Sequence, residues 1–180
     1  MAIVVVGGSG RGVGKTAVVC ALIASLPEFI WTAVKLTAHE HGGEEPVWEE
    51  TEPGQETDTA RYLAAGARRA LLVSAPQGRI PLNHIWESIG PSANVVFESN
   101  RIASYQRPDL CLAVLGTQVT SVNPSFQAFM HQADALLVPG GECPSLLDWP
   151  PAKPLFQTPL ADQEHIGPAM LAFVRLALRS

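Results

Sequence analysis

Cysteine is scarce and scattered in this sequence: Cys20, Cys111 and Cys143 form no CxxC pair, so neither a zinc site nor a disulfide framework is indicated. A reducing, cytoplasmic setting is the expectation. No basic segment precedes the opening MAIVVV, and the longest apolar helical run, AVVCALIASL, has about half of the roughly 20 residues that a bilayer span requires. An unexported chain that spans no membrane follows. Positive charge is also in short supply. A formal net charge of -5 argues against nucleic acid or an anionic membrane surface as partner, because neither polyanion gains by docking on an acidic protein. There is no Asn-Lys-x-Asp for guanine recognition, no G-x-S-x-G nucleophile elbow, no internal repeat and no low-complexity tract.

What is present is an alternation of short β-rich runs with helical patterns over 180 residues, the signature of a parallel sheet covered on both faces. Strands are expected at 2–7, 29–36, 69–74, 94–99, 109–115 and 133–140. Helices are expected at 14–26, 57–67, 82–90 and 124–132, with a further one in the C-terminal segment 162–180. The fold class is therefore α/β, a three-layer α/β/α arrangement with a mainly parallel sheet, and the length suits a single domain over 1–180. Two stretches interrupt the alternation. Residues 40–57 hold most of a cluster of eight acidic residues (Glu40, Glu44, Glu45, Glu49, Glu50, Glu52, Glu56 and Asp58) among Gly42, Gly43, Pro46, Pro53 and Gly54, and read as a mobile acidic loop. Residues 141–161, with Pro144, Pro150, Pro151, Pro154 and Pro159, read as an extended proline-rich connector.

The first strand runs into GGSGRGVGKT and then a helix. A strand that ends in glycines and opens into a helix through Gly-Lys-Thr gathers backbone N–H groups and a helix N-terminus around one concavity, which favours a polyanion. The reading is a P-loop for a nucleoside triphosphate held by Ser9, Gly10, Arg11, Gly12, Val13, Gly14, Lys15, Thr16 and Ala17. Lys15 would reach the terminal phosphates and the Thr16 hydroxyl the Mg²⁺ that bridges them. Counting from Gly8 to Gly14 leaves five intervening residues, one more than GxxxxGK[ST] has. Gly10 stands where the dimerising partition ATPases carry an extra lysine, which argues against an obligate lysine-exchanging dimer and leaves a simple homodimer open.

Magnesium needs oxygen ligands, commonly a carboxylate at the end of a buried strand. Glu98, closing NVVFE, stands at such a place, and Asp58, at the mouth of a helix, is the second metal candidate or else that helix's cap. Lys35 closes the second strand beside the expected phosphates and is, with Lys15, the candidate catalytic cation, snorkelling from the sheet being the alternative. His39 and His41 in TAHEHG suit a metal pair or a substrate contact, or else are solvated. Arg11 is either a charge stabiliser or an exposed loop tip. ATP and GTP are not distinguished.

These residues resemble the molybdopterin-guanine dinucleotide biosynthesis protein B family (MobB). The likeness rests on GRGVGKT, on AVKLTAHEHG beside that family's Ile-Lys-His-Thr-His-His segment, on DTARYLAAGARRALLVS, and on VVFESNRI where the family has Val-Glu-Gly-Phe. Leu36 and Ala38 stand in place of family histidines, and Ser99-Asn100 in place of Gly-Phe. The resemblance covers roughly the first 100 residues and implies nucleotide phosphates on Gly14, Lys15 and Thr16, Mg²⁺ near Thr16 and Glu98, slow GTP hydrolysis and a role in molybdenum cofactor biosynthesis. The longer loop is similar to that of dethiobiotin synthetase, where a threonine, an aspartate and a glutamate hold Mg²⁺. Thr16, Asp58, Glu98 and Lys35 would take comparable places, implying an ATP-dependent kinase or ligase of a small metabolite. A non-catalytic nucleotide-responsive adaptor with a protein partner is the third expectation.

Overall fold

The computed structural model describes residues 1–38, 45–91, 93–116, 123–139, 149–158 and 165–179. Eight strands form one sheet: β1 (Ile3–Gly8), β2 (Trp31–Thr37), β3 (Val47–Glu50), β4 (Arg69–Ser74), β5 (Asn94–Glu98), β6 (Leu110–Val114), β7 (Ala135–Pro139) and β8 (Leu155–Thr158). Their spatial order is β3-β4-β2-β5-β1-β6-β7-β8. Every neighbouring pair is parallel except β3 and β4. Five helices are described: α1 (Lys15–Ser25), α2 (Asp58–Ala64), α3 (Leu82–Ile89), α4 (Pro124–Gln132) and α5 (Pro168–Ala177).

The alternation of side chains along each strand sorts the core into two sheets of contact. Val4, Val6, Ala33, Val96, Leu112 and Leu137 point to one face and pack with α1, α2 and α5. Ile3, Val5, Val34, Phe97, Ala113 and Leu136 point to the other and pack with α3 and α4. Because both faces are covered, the central strands are apolar throughout instead of alternating, as β1 and β6 are, buried at every position. The result is the three-layer α/β arrangement read from the sequence.

Differences from that reading have local causes. The second strand starts at Trp31 because Pro27–Phe29 form a 3₁₀ turn, on which Phe29 stacks against Trp31 with ring centroids 5.0 Å apart. The acidic stretch 40–57 is not loop throughout. Val47–Glu50 adds an antiparallel edge to β4, and its carboxylates are met by specific partners: Arg69 Nε and Nη2 each donate to Glu49 at 2.7 Å, and the hydroxyls of Thr57 and Thr59 donate to Glu50. Charge that reads as solvated in the sequence is thus paired. Likewise the connector 141–161 contains β8, which extends the sheet beyond β7 and packs Phe156 on Phe173 of α5, ring centroids 5.6 Å apart. Residues 39–44, with His39 and His41, and 141–148 and 159–164 lie outside the described residues.

Candidate functional site

The carboxyl ends of β1, β5, β2 and β4 open into a cavity of about 1170 Å³. In open parallel sheets this end of the strands, where neighbouring connections leave on opposite faces, is where ligands sit. Here β1 leads through α1 on one face, while the segment after β5 crosses towards α4 on the other.

The glycine-rich loop forms one end of the cavity. Gly8 ends β1 so close to the following helix that a Cβ there would lie 2.7 Å from Lys15 Cγ and 2.9 Å from Val13 Cγ2. Gly14 turns into α1 at φ 99°, a left-handed conformation that favours glycine, and α1 has no side-chain cap. Its first N–H groups, at Lys15, Thr16 and Ala17, therefore have no partner within the helix, and these three residues line the cavity. Residues 10–17 all line the cavity, with Arg11 exposed at the loop tip. Ser9 does not: its N–H donates to Val114 O, its hydroxyl accepts from Gly116 N, and its carbonyl accepts from Asn123 Nδ2. Ser9 anchors the loop to β6 and α4.

Asn100 supplies a second anchor that the sequence did not disclose. Its Oδ1 accepts from Gly8 N at 2.7 Å and its Nδ2 donates to Gly8 O at 3.0 Å, so one side chain brackets the base of the loop. The Lys15 ammonium folds back over the loop and donates to Gly10 O at 2.5 Å. Burial lowers its pKa, an effect that Glu98 and Asp58 oppose and Lys35 and Arg11 reinforce, leaving it below the ordinary lysine value.

Beside the loop stands a cluster built by strand register. Lys35 of β2 lies level with Glu98 of β5, and Glu98 level with Val6 of β1, so all three point to the α1 face. Glu98 is 2% exposed, and its carboxylate collects three donors: Thr16 Oγ1 at 2.8 Å, Tyr62 Oη at 2.5 Å and Lys35 Nζ. Asp58 does not cap α2. Thr57 does, its hydroxyl accepting from Ala60 N at 3.0 Å, which leaves the Asp58 carboxylate to pair with Lys35 Nζ at 3.0 Å. Burial pushes the Asp58 carboxyl up, but the hydrogen bond and charge of Lys35, helped by Thr16 and Arg61, outweigh it and hold the group below its ordinary value. Tyr62 is fully buried, and burial followed by the charge of Glu98 raises its pKa well above the usual phenol range, so it remains a neutral donor. Tyr62 is not among the residues singled out from the sequence; it lies four residues after Asp58 on the same helix face, and that spacing in DTARY is the signal that could have found it.

Thr16, Glu98 and Asp58 thus bring together a hydroxyl and two carboxylates, with Lys35 between the carboxylates. This donor set fits Mg²⁺, which takes oxygen ligands, binds through one or two carboxylates plus phosphate oxygens, and retains water. It is not a self-sufficient metal cage, and among the described residues no group of three or more His, Cys, Asp or Glu side chains is arranged to hold a metal alone. Burial pushes the Cys20 thiol up to about 11 and the Cys111 thiol up to about 12, which disfavours a thiolate at neutral pH. No described helix is long and apolar enough to cross a membrane.

No protein-family model and no curated protein matches this chain. Among solved structures it is similar to LpxK from Aquifex aeolicus in complex with ATP, at 16% identity and a TM-score of 0.55. That similarity covers 87% of this chain and 53% of the other, so this chain spans about half the length of the structure it matches. Likeness at this identity speaks to architecture alone, a mostly parallel α/β sheet with helices on both faces.

Proposed function

We propose that this chain binds a nucleoside triphosphate with Mg²⁺ and transfers its terminal phosphoryl group to a small-molecule acceptor, hydrolysing the nucleotide slowly when no acceptor is present. The observation that carries the reading is the meeting, in one cavity, of an uncapped helix N-terminus bearing Lys15 and Thr16 with the Lys35–Asp58–Glu98 cluster. Phosphoryl transfer asks a protein mainly for positioning and charge neutralisation. The N–H groups of the loop and the first turn of α1 hold phosphate oxygens, and the Lys15 ammonium exchanges its carbonyl partner Gly10 for them. Thr16 and Glu98 would hold the metal, with Asp58 as a second carboxylate, and Mg²⁺ would supply charge neutralisation to phosphate oxygens. Lys35, released in part from Glu98, turns its ammonium to the transferred group. Tyr62 keeps the Glu98 carboxylate aimed at Thr16. ATP is the nucleotide favoured, since it is the one held by the structurally similar LpxK complex.

Melting temperature measured with ATP, GTP and CTP, with and without Mg²⁺, tests the reading, because a ligand that prefers the folded state raises it. ATP with Mg²⁺ should give the largest rise. In calorimetry Lys15→Ala should weaken ATP binding by more than about 100-fold, on the order of 3 kcal/mol; unchanged affinity would contradict the assignment. A second reading, a slow GTPase like the MobB family, is favoured by the fact that the segments carrying that resemblance supply Lys35, Asp58 and Tyr62 to this cluster. It predicts that GTP stabilises more than ATP.

A further inference from the structure

The phosphate loop and the carboxylate cluster account for the part of the cavity over β1 and β5. The cavity continues over the carboxyl ends of β2 and β4, where Leu36, Ala75 and Ile80 line it along with Arg101. Arg101 follows β5 by three residues, yet its guanidinium reaches sideways to the turn after β4: a Cβ on Gly78 would stand 2.7 Å from Arg101 Nη1. Gly78, at φ 79°, leaves the room this contact needs. In the sheet order β4 is three strands from β1, so the turn that Arg101 reaches lies beyond β5 and β2 from the loop.

Among the described residues the Arg101 guanidinium has no acidic or carbonyl partner; the residue is bonded through its backbone, whose N–H donates to Ser99 Oγ and whose carbonyl accepts from Ser104 N. The acidic side chains nearest the same rim are engaged elsewhere, Glu49 by Arg69 and Glu50 by Thr57 and Thr59. A planar cation with its fork unused, held beside three apolar side chains inside a cavity, suits a carboxylate or phosphate attached to an apolar body. We infer that the cavity over β2 and β4 is an acceptor subsite for a small organic anion, whose charged group meets Arg101 and whose apolar body lies on Leu36, Ala75 and Ile80. The inference rests on the nucleotide reading for what happens to that anion, not for its binding. Lys35, on β2 and paired with Asp58, stands one strand nearer the loop than β4, so the ligand's other end, roughly 5–10 Å from its charge, faces the transferred phosphoryl group.

Calorimetry on the full chain, saturated with Mg²⁺ and a non-hydrolysable ATP analogue, tests this with phenylacetate, phenyl phosphate and benzyl alcohol as probes. Both anions should bind at least about tenfold more tightly than the neutral alcohol, the margin of one charge-assisted hydrogen-bonded pair. Arg101→Gln should erase that margin and leave affinity for the ATP analogue unchanged, and Arg101→Lys should keep part of it. Equal affinities for the three probes on the unsubstituted chain, or a margin that survives in Arg101→Gln, overturns the subsite. Loss of analogue binding in Arg101→Gln also overturns it, by placing the guanidinium with the nucleotide. Failure of the unsubstituted chain to bind the analogue overturns the nucleotide reading instead, and the probes, titrated alone, still report on Arg101.

Discussion

The two halves of the cavity are built differently. Around β1 and β5, backbone and side chains are joined by dense hydrogen bonding: Asn100 brackets Gly8, Ser9 is tied to β6 and α4, and Glu98 collects Thr16, Tyr62 and Lys35. Over β2 and β4 the apolar side chains of Leu36, Ala75 and Ile80 line the cavity beside the Arg101 guanidinium, which has no acidic or carbonyl partner among the described residues. The contrast teaches a division of labour. On the proposed reading, a triphosphate tail, the same in every nucleotide, would be met by the fixed donors, and an acceptor by shape and one charge.

Breaking the wired half should have the largest consequences. Gly8→Ala drives a methyl into Lys15 and Val13, so ATP affinity should fall by at least about 30-fold, about 2 kcal/mol, while probe binding near Arg101 persists. Calorimetry reads both, and unaltered ATP affinity would show that the closeness of Lys15 to Gly8 does not matter. Next comes Tyr62→Phe, which keeps the ring and removes one donor from a buried carboxylate; unfolding in urea should show a loss of about 1–3 kcal/mol. A midpoint that does not move would mean that Glu98 is satisfied without it. The smallest effect concerns acid. Because the folded pKa of Asp58 lies below its ordinary 3.8, its pairing with Lys35 contributes fully above that value and is lost as pH falls through the depressed one. Melting temperatures between pH 5 and pH 2 should therefore fall more steeply for the unsubstituted chain than for Asp58→Asn, and parallel curves would remove Asp58 from the cluster's electrostatics.

The same contrast explains what the sequence disclosed. Expected and observed bounds coincide for β4 at 69–74 and for α4 at 124–132, where apolar patterns are bounded by clear breakers. The loop at 10–17 and the placement of Lys35, Asp58 and Glu98 near it were legible because glycine spacing and strand ends are local signals. Two strands were not. β3 is hidden because two of its four residues are Glu49 and Glu50, whose carboxylates are met by Arg69, Thr57 and Thr59, and β8 is hidden among prolines that flank it without entering it. Asn100 and Arg101 were equally silent: each acts on a residue brought near by the sheet, Gly8 and Gly78, and no spacing along the chain encodes that.

The Asn100 bracket has a mechanical consequence. Because the residue that grips Gly8 sits two positions beyond Glu98, the strand that presents the carboxylate and the turn that presents the main-chain amides are splinted into one unit. An incoming polyphosphate would meet a receptor already in shape, spending little of its binding free energy on freezing the chain. Induced ordering would then fall to the acceptor side of the crevice.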